Sequence, residues 1–478
     1  MSDDIVYFEK QKKIYPRSVK GRYRRLKWLA MGVLLAIYYL VPWIRWDRGP
    51  HAPSQAVLID MPARRAYFFN IELWPQEVYF FAGLMVLGAV GLFFVTSLLG
   101  RVWCGYACPQ TVWTDLFVAV ENWVQGDRNA RMKLDKSPLS FEKVWKKTLT
   151  HILWVAIALC TGGAWVFYFV DAPTLFEQII HFDVSWMAGS WILGLTASTY
   201  IMAGYAREQV CTYMCPYARF QSAMFDKDTL IIGYDRERGE PRGKHKQGTS
   251  WEGHGHCIDC TQCVIVCPMG IDIRNGLQMD CIACGLCVDA CNDVMDRMEL
   301  PQGLIRYDTQ RNYEKRTLAH KTGMPHKDSI DIWRPRTFYY IAVMAVISAI
   351  MLFAFLSRSA VEMSVIHDRN PLYVRLSNGD IRNTYTIKVI NKTHDDLSFR
   401  LRVEGIAPRT VSVAGPGGVS VDDLQVLADS VGTFRIMLVA PATEAARRQR
   451  HEITLYLDAE KESNAADMGT VFISAGAM

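Results

Sequence analysis

The chain has 478 residues, enough for two or three domains; half of them are hydrophobic, the net charge of +5 is modest, and we expect no nucleic-acid partner. Eight of the 13 cysteines lie between Cys257 and Cys291, whereas a disulfide framework would scatter them through an exported domain. The clustering therefore indicates metal ligation, and the long uncharged apolar runs indicate a membrane protein.

Five apolar stretches are long enough to cross a bilayer, which takes about 20 residues in a helix. In chain order they are Trp28–Ile44, Val78–Leu99, Ile152–Val170, Trp186–Ala206 and Phe338–Leu356. Trp and Tyr lie near many of their ends, as is typical of residues at a membrane interface. The first stretch has no convincing cleavage site after it, so we interpret it as an uncleaved anchor.

The distribution of Lys and Arg predicts the orientation. These residues are concentrated in 1–27, before the first span, and in 128–147, after the second, whereas the short loop 171–185 has none. Positive residues remain in the cytoplasm. We therefore expect a cytoplasmic N-terminus and, after five crossings, a periplasmic C-terminal segment.

These boundaries divide the chain into five parts. They are a basic cytoplasmic tail (1–27), a four-helix membrane region (28–206), a cytoplasmic domain that contains the clustered cysteines (207–336), a fifth transmembrane helix (337–357) and a periplasmic segment (366–478). In the last part, alternating patterns predict strands at Tyr385–Ile390, Ser398–Val403, Thr433–Val439 and Ile453–Leu457. Short strands at this spacing predict an all-β sandwich.

The second and fourth spans end in the same motif, Cys104-x-x-x-Cys108-Pro and Cys211-x-x-x-Cys215-Pro. Cysteines at i and i+4 share one face of a helix, and the proline bends or ends that helix. Two soft thiolates suit copper(I), and the four cysteines could converge on one site if the two hairpins pack by pseudo-symmetry. The same set could instead hold a further cluster, cycle between dithiol and disulfide, or pack as buried cysteines at helix ends.

The clustered cysteines form two runs of the ferredoxin type. The runs are Cys257, Cys260, Cys263 and Cys267, followed by Pro268, and then Cys281, Cys284, Cys287 and Cys291. In such runs the first three cysteines bind one four-iron cluster and the fourth binds the other. The spacing predicts one [4Fe–4S] cluster on Cys257, Cys260, Cys263 and Cys291, and a second on Cys281, Cys284, Cys287 and Cys267, in a bacterial-type ferredoxin-like α+β insert.

Two other interpretations of this region were considered. Eight cysteines could hold two structural zinc ions, but this double spacing is more specific to iron–sulfur clusters. His254 and His256 immediately precede Cys257 and could bind copper or another metal, although histidines in a solvated loop need no such role. No Gly-x-Gly-x-x-Gly and no Walker lysine are present, so bound nicotinamide and ATP chemistry are unsupported.

With the order of spans, paired cysteines, ferredoxin runs and β-segment, the whole chain resembles the cytochrome c oxidase accessory proteins of the FixG, RdxA and CcoG type. The stretch from Trp103 to Gln110 looks typical of them. The resemblance implies a bacterial inner-membrane protein that assists assembly of a cbb3-type haem–copper oxidase by reducing copper(II) to copper(I). It also implies an immunoglobulin-like C-terminal domain.

By this resemblance the clusters would relay electrons, and Cys104, Cys108, Cys211 and Cys215 would be the catalytic copper or redox site. The partners would be oxidase subunits or copper-delivery proteins and an unidentified cytoplasmic electron donor. Two alternatives stay open. One is a quinone-linked respiratory ferredoxin subunit, since such proteins share the Cys-x-x-x-Cys-Pro feature. The other is a copper-binding assembly scaffold without turnover.

Overall fold

The computed structural model describes residues 13–49, 52–323, 325, 327–414, 420–445, 448–459 and 462–474. The first twelve residues of the predicted basic tail lie outside this range. The chain forms two compact units, one comprising 1–45 and 55–351 and the other 46–54 and 352–478. Each unit has its own hydrophobic core.

Most of the first unit is helical. In chain order the helices are α1 (Arg22–Leu40), α2 (Tyr79–Leu99), α3 (Val102–Tyr106), α4 (Pro109–Gln125), α5 (Arg128–Lys136), α6 (Phe141–Val166), α7 (Ala172–Ile180), α8 (Trp186–Thr199), α9 (Pro216–Ala223), α10 (Arg236–Gly239), α11 (Gln262–Ile265), α12 (Leu286–Arg297), α13 (Gln310–Thr322) and α14 (Pro335–Leu356). Two π-helices, Tyr200–Ala206 and Val210–Met214, lie between α8 and α9.

Four helical segments of the described chain are long and apolar enough to cross a membrane. They are Arg22–Trp43, Pro75–Leu99, Phe141–Val166 and Pro335–Leu356, and they overlap the first, second, third and fifth predicted spans. The protein is therefore a membrane protein. The fourth predicted span consists of α8, which has 14 residues, followed directly by the first π-helix. A fifth crossing stays a prediction.

The segment between α1 and α2, which had no predicted secondary structure, contains a small antiparallel sheet. Its strands β1 (Val57–Asp60), β2 (Arg65–Phe68) and β3 (Ile71–Leu73) are adjacent in chain order. Such short strands carry little hydrophobic periodicity, so the sequence pattern does not distinguish them from a loop.

The cysteine-rich part has a two-stranded sheet that brings the ends of its loops together. Strand β4 (Leu230–Tyr234) pairs antiparallel with β5 (Ile305–Thr309), with Ile232 opposite Tyr307. The core beside this sheet contains Ile232, Met295 and Leu304, and cysteines pack against it. In the sequence, the two strands precede and follow the segment that contains the eight clustered cysteines, and together with α11 and α12 they make this part an α+β domain.

The first membrane helix is joined to the cysteine-rich part through its N-terminus. Asp289 on α12 is buried, and its carboxylate accepts hydrogen bonds from the backbone N–H groups of Tyr23, at 3.2 Å, and Arg24, at 2.7 Å. The carboxylate therefore satisfies donors that α1 cannot satisfy itself, and it complements the positive end of the helix dipole. This contact fixes α1 against α12.

The second unit is a β-sandwich. One sheet has the order β10-β12-β8-β6, with β7 also paired to β8, and the other has the order β11-β9-β13-β14. The strands are β6 (Val361–His367), β7 (Val374–Arg375), β8 (Ile381–Asn391), β9 (Leu397–Glu404), β10 (Thr410–Val413), β11 (Leu424–Val426), β12 (Ser430–Ala440), β13 (Arg450–Ala459) and β14 (Glu462–Ile473). Tyr385, Ile387 and Val389 alternate inward on β8 and are fully buried. The predicted strands are present and lie within β8, β9, β12 and β13.

Close packing of α6 against α8 depends on a small residue. A Cβ atom at Gly162 would lie 2.7 Å from the backbone oxygen of Ile192, whereas one at the neighbouring Gly163 would meet nothing within 4 Å. We expect Gly162→Ala to destabilise the helix pair by about 1–3 kcal/mol, because the backbones must separate. Thermal unfolding of the detergent-solubilised protein would measure this. Gly163→Ala is the matched control, and equal unfolding temperatures for the two variants would contradict the packing.

Candidate iron–sulfur and thiol centres

A first cavity of about 360 Å³ lies between α11, α12 and the sheet β4–β5. The cysteines that line it are Cys257, Cys260, Cys263 and Cys291. Cys263 is on α11 and Cys291 is on α12, so the helix that follows the second run returns a thiol to the first. The structure thus brings together the four residues predicted for the first cluster.

A second cavity of about 340 Å³ adjoins the first, since Cys263 lines both. Its other cysteines are Cys267, Cys281, Cys284 and Cys287. Ile232 and Ile273 complete an apolar wall. These four cysteines are the residues predicted for the second cluster, and the shared wall places the two candidate sites side by side.

The buried thiols of both cavities ionise only with difficulty unless a metal is bound. All 13 cysteines of the chain are free. Burial, with a smaller contribution from neighbouring cysteines, raises the pKa of Cys263 and Cys267 to about 12. Burial likewise raises the pKa of Cys281 to about 11. Iron ions would offset this repulsion and stabilise the thiolates, and four thiols per cavity match the ligand number of a [4Fe–4S] cluster. The residues present therefore fit such clusters.

Both cysteine loops use the same unusual backbone. The residues on either side of Cys260, Asp259 and Thr261, have φ of 52° and 55°, and those on either side of Cys284, Ala283 and Gly285, have φ of 50° and 77°. Only one of these four is a glycine. Left-handed residues between right-handed ones turn successive N–H groups toward one concave side, where they can donate to an anionic group. Single-sequence patterns do not reveal this feature because non-glycine residues rarely adopt these angles.

The Cys-x-x-x-Cys-Pro motifs each span a break between two helices. Cys104 is on α3, whereas Cys108 caps α4, which begins at Pro109. Cys211 is likewise on the second π-helix, and Cys215 caps α9. The expectation that each pair shares one helical face is therefore wrong, because proline, with its fixed φ and missing N–H, starts a new helix in both motifs.

The structure nevertheless brings these four cysteines together into one group, here called the four-thiol site (Cys104, Cys108, Cys211 and Cys215). Burial, together with the smaller effects of the nearby Cys108 and Cys215, raises the pKa of Cys104 to about 11. Burial raises that of Cys211 to about 12, with contributions from the other three cysteines. Cys104 also donates a hydrogen bond of 3.2 Å to Oε1 of Gln221, which lies on α9, the helix that Cys215 caps, so the two motifs are in contact.

Arg101 lies between the four-thiol site and the second cavity. Its side chain is 5% exposed, and its guanidinium donates to the carbonyl oxygens of Met279 and Ala218. Its positive charge acts to lower the pKa of Cys104, Cys211 and Cys281, in opposition to burial. One buried cation therefore stabilises thiolates in both centres. Sequence reasoning missed this residue, although its position at the end of the second span was a usable signal.

The four-thiol site also touches the second cysteine loop through its backbone. Tyr106 donates a hydrogen bond of 2.9 Å to the carbonyl oxygen of Cys284. A Cβ atom at Gly105 would lie 2.7 Å from the carbonyl oxygen of Ile282. Cys104 packs in the same cluster of residues as Cys284 and Cys287. The two centres are thus in direct van der Waals contact.

The two histidines that precede the first cysteine run lie apart from these cavities. His256 is partly buried, and its Nδ1 accepts a hydrogen bond of 2.8 Å from Arg238. His254 is exposed, and its ring centre lies 5.3 Å from that of His245. Neither lines a cysteine cavity. A metal-binding role for them stays a prediction.

Gly105→Ala tests the contact between the centres. The added methyl group would force α3 away from the second cysteine loop, so we expect the variant to lose thermal stability by about 1–3 kcal/mol and to bind less iron. Gly88→Ala in α2 is the control, since a Cβ atom there meets nothing within 4 Å. Iron and acid-labile sulfide would be measured in anaerobically purified protein. Unchanged stability and iron in Gly105→Ala would contradict the close approach.

Three protein-family domains match this chain. Residues 206–310 match a 4Fe–4S dicluster domain, 81–129 match a 4Fe–4S binding domain, and 351–475 match the Ig-like fold at the C-terminus of FixG. The second of these ranges contains Cys104 and Cys108 but neither ferredoxin run. A 4Fe–4S dicluster domain and an immunoglobulin-like C-terminal domain are therefore present.

Similar proteins cover most of the chain. Nitrogen fixation protein FixG of Rhizobium meliloti (strain 1021) is 48% identical over 430 residues, which are 85% of this chain and 82% of that protein. Protein RdxA of Cereibacter sphaeroides is 48% identical over 428 residues, 90% of this chain and 89% of that protein. A solved FixG-related protein from Vibrio parahaemolyticus is 25% identical, with a TM-score of 0.22, and covers 25% of this chain and 99% of its own. The chain belongs to the FixG/RdxA family of iron–sulfur membrane proteins.

Proposed function

We propose that this membrane protein transfers electrons to copper, reducing copper(II) to copper(I) at the four-thiol site for assembly of an oxidase copper centre. The observation that supports this best is the direct contact between the four-thiol site and the second cysteine cavity, through Gly105 and Tyr106. A group of soft sulfur ligands beside an electron-transfer centre is the arrangement that copper(I) chemistry needs.

The cluster ligands belong to the proposal as well. Cys257, Cys260, Cys263 and Cys291 would hold one [4Fe–4S] cluster, and Cys281, Cys284, Cys287 and Cys267 the other. When bound, each cluster supplies one-electron transfer. The N–H groups of the two loops with left-handed residues would donate to the anionic cluster and so tune its potential.

The chemistry at the four-thiol site needs one electron per copper ion. Copper(II) gains that electron and becomes copper(I), and the thiols that bind the product release their protons to water. Arg101 favours this release because its charge stabilises the thiolates of Cys104 and Cys211. Thiolates prefer copper(I) over the harder copper(II), so ligation by sulfur also favours the reduced product.

Orientation and partners complete the proposal. The basic segments 1–27 and 128–147 support cytoplasmic placement of the N-terminus and of both cysteine cavities in a bacterial inner membrane. The β-sandwich would then lie in the periplasm and offer a surface to an oxidase subunit or a copper-delivery protein. A cytoplasmic or membrane-borne donor would supply the electrons.

Crossed ligation predicts which cysteine variants resemble one another. Cys291→Ala and Cys257→Ala should both lose the first cluster, and Cys267→Ala should lose the second, as Cys281→Ala does. Each variant should retain about four of about eight iron atoms. Electron paramagnetic resonance of the reduced protein would compare the spectra, with Cys160→Ala as control. If Cys267→Ala matched Cys257→Ala instead, each run would bind its own cluster and the crossing would be wrong.

Removal of two thiols tests the copper chemistry. We expect the double variant Cys104→Ser, Cys211→Ser to reduce copper(II) at least tenfold more slowly, because hydroxyl groups bind copper(I) poorly. The clusters would be reduced with dithionite, the excess removed by gel filtration, and copper(I) formation followed with a chelator through repeated cycles of reduction, after iron content has been matched to wild type. Cys160→Ser is the control, since that cysteine is exposed and lies in another helix. A double variant with full rate and intact clusters would exclude the four-thiol site, and reduction of a single equivalent by wild type would favour the scaffold alternative.

A further inference from the structure

A cleft of about 690 Å³ separates α1 from α4 and lies wholly within the first unit. We call it the α1–α4 cleft and define it by Arg24, Lys27, Thr114, Val118, Cys211 and Leu286. The first cysteine cavity shares no lining residue with the cleft. The second cavity shares Met269 and Ile282 with it.

The inner walls of the cleft belong to two redox-active groups. Cys211 of the four-thiol site lines it on one side. On the other side the lining includes Pro268, Ile282 and Leu286, which directly adjoin Cys267, Cys281 and Cys287 in the sequence. An occupant would therefore contact Cys211 of the four-thiol site directly and lie about one residue from the cysteines of the second cavity. A molecule that exchanges electrons is the natural ligand for this position.

The outer wall supplies a buried cation with unused donors. Lys27 is 4% exposed, and its Nζ lies 3.8 Å from Oδ1 of Asp115. Both oxygens of Asp115 already accept hydrogen bonds from Arg24, at 2.8 and 2.9 Å. Within the described part of the chain the Lys27 ammonium makes no closer polar contact. Lys27 lines the cleft, where an oxygen acceptor on a bound molecule would be a closer partner for its ammonium than Asp115 is.

The cleft lies at the depth of a membrane surface. Arg24 and Lys27 are in the first two turns of the candidate span Arg22–Trp43. Leu26 and Leu29, on the same turns of α1, are 48% and 65% exposed and so are available to lipid. A ligand that partitions into the membrane would reach the cleft without crossing the protein core.

We propose that the α1–α4 cleft binds the headgroup of a membrane quinone, with the Lys27 ammonium donating to a quinone oxygen. Val118 and Leu286 offer apolar surfaces for the ring, and polar side chains, Thr114, Asp115 and Glu208 among them, line the rest of the cleft. A flat ring with oxygen acceptors can pack against the apolar side chains and accept a hydrogen bond from the Lys27 ammonium. The site goes beyond copper reduction, and it rests on the proposed function only in that the adjoining cavities hold redox centres.

Binding of a soluble quinone to the full chain tests this site. Isothermal titration of the oxidised, iron-loaded protein in detergent with decylubiquinone should show saturable binding. We expect Lys27→Met to weaken binding at least tenfold, and Val118→Phe to do the same by filling the cleft. Arg25→Met is the matched control, because it removes an equal charge from the exposed side of α1 and should bind like wild type.

Iron content and unfolding temperature equal to wild type would show that the variants are folded. Asp115 keeps both hydrogen bonds from Arg24 in Lys27→Met, so the helix contact should survive. Absence of saturable binding by wild type, or equal binding by Lys27→Met and Val118→Phe, would overturn the proposal. If phosphatidylglycerol bound in a Lys27-dependent way and decylubiquinone did not, the cleft would be a lipid-headgroup site instead. Because copper is absent from the titration, failure here leaves the cupric reduction assay unaffected.

Discussion

Two stretches of backbone meet where the hairpin carrying Cys104 and Cys108 touches the loop carrying Cys281 and Cys284. No side chain separates them at Gly105, and Tyr106 ties the same hairpin to the Cys284 carbonyl group. The position of the four-thiol site relative to the second cavity depends on this approach. Electron transfer between the four-thiol site and the second cavity would depend on the same approach, because only backbone lies between the two centres at Gly105.

Electrostatics reinforces that contact from both sides. Buried thiols resist ionisation, and each group of four raises the pKa values of its own members. A centre of this kind is stable as thiolates only when cations are bound, so metal loading and folding are coupled and acid opposes both. Arg101 supplies a permanent charge between the two groups, and its hydrogen bonds to Met279 and Ala218 hold it there.

The membrane helices and the cysteine-rich part are linked by buried charges. Asp289 caps α1, and Glu121 on α4 accepts from Arg131, at 2.9 Å, and from Arg207, at 2.7 Å. Burial alone would raise the pKa of Glu121, but the two guanidinium groups hold it below its usual value. Arg207 separates the two π-helices and has a φ of 42°. Breaking either link would leave an uncompensated buried charge, which is strongly destabilising.

The sequence by itself determined the ferredoxin runs, four of the membrane helices and the main strands of the sandwich, and the order of these features carried the resemblance to the family. Each of these depends on local spacing or periodicity, which one chain displays directly. The pairing of Cys291 with Cys257 was predicted from the spacing, whereas only the tertiary structure placed Arg101, Gly105 and Lys27 beside the centres. The sequence predicted that the proline bends or ends the helix, and the tertiary structure showed that the first helix ends before the second cysteine of each motif. Contacts between residues far apart in the chain depend on how elements pack, and packing leaves no periodic mark in a single sequence.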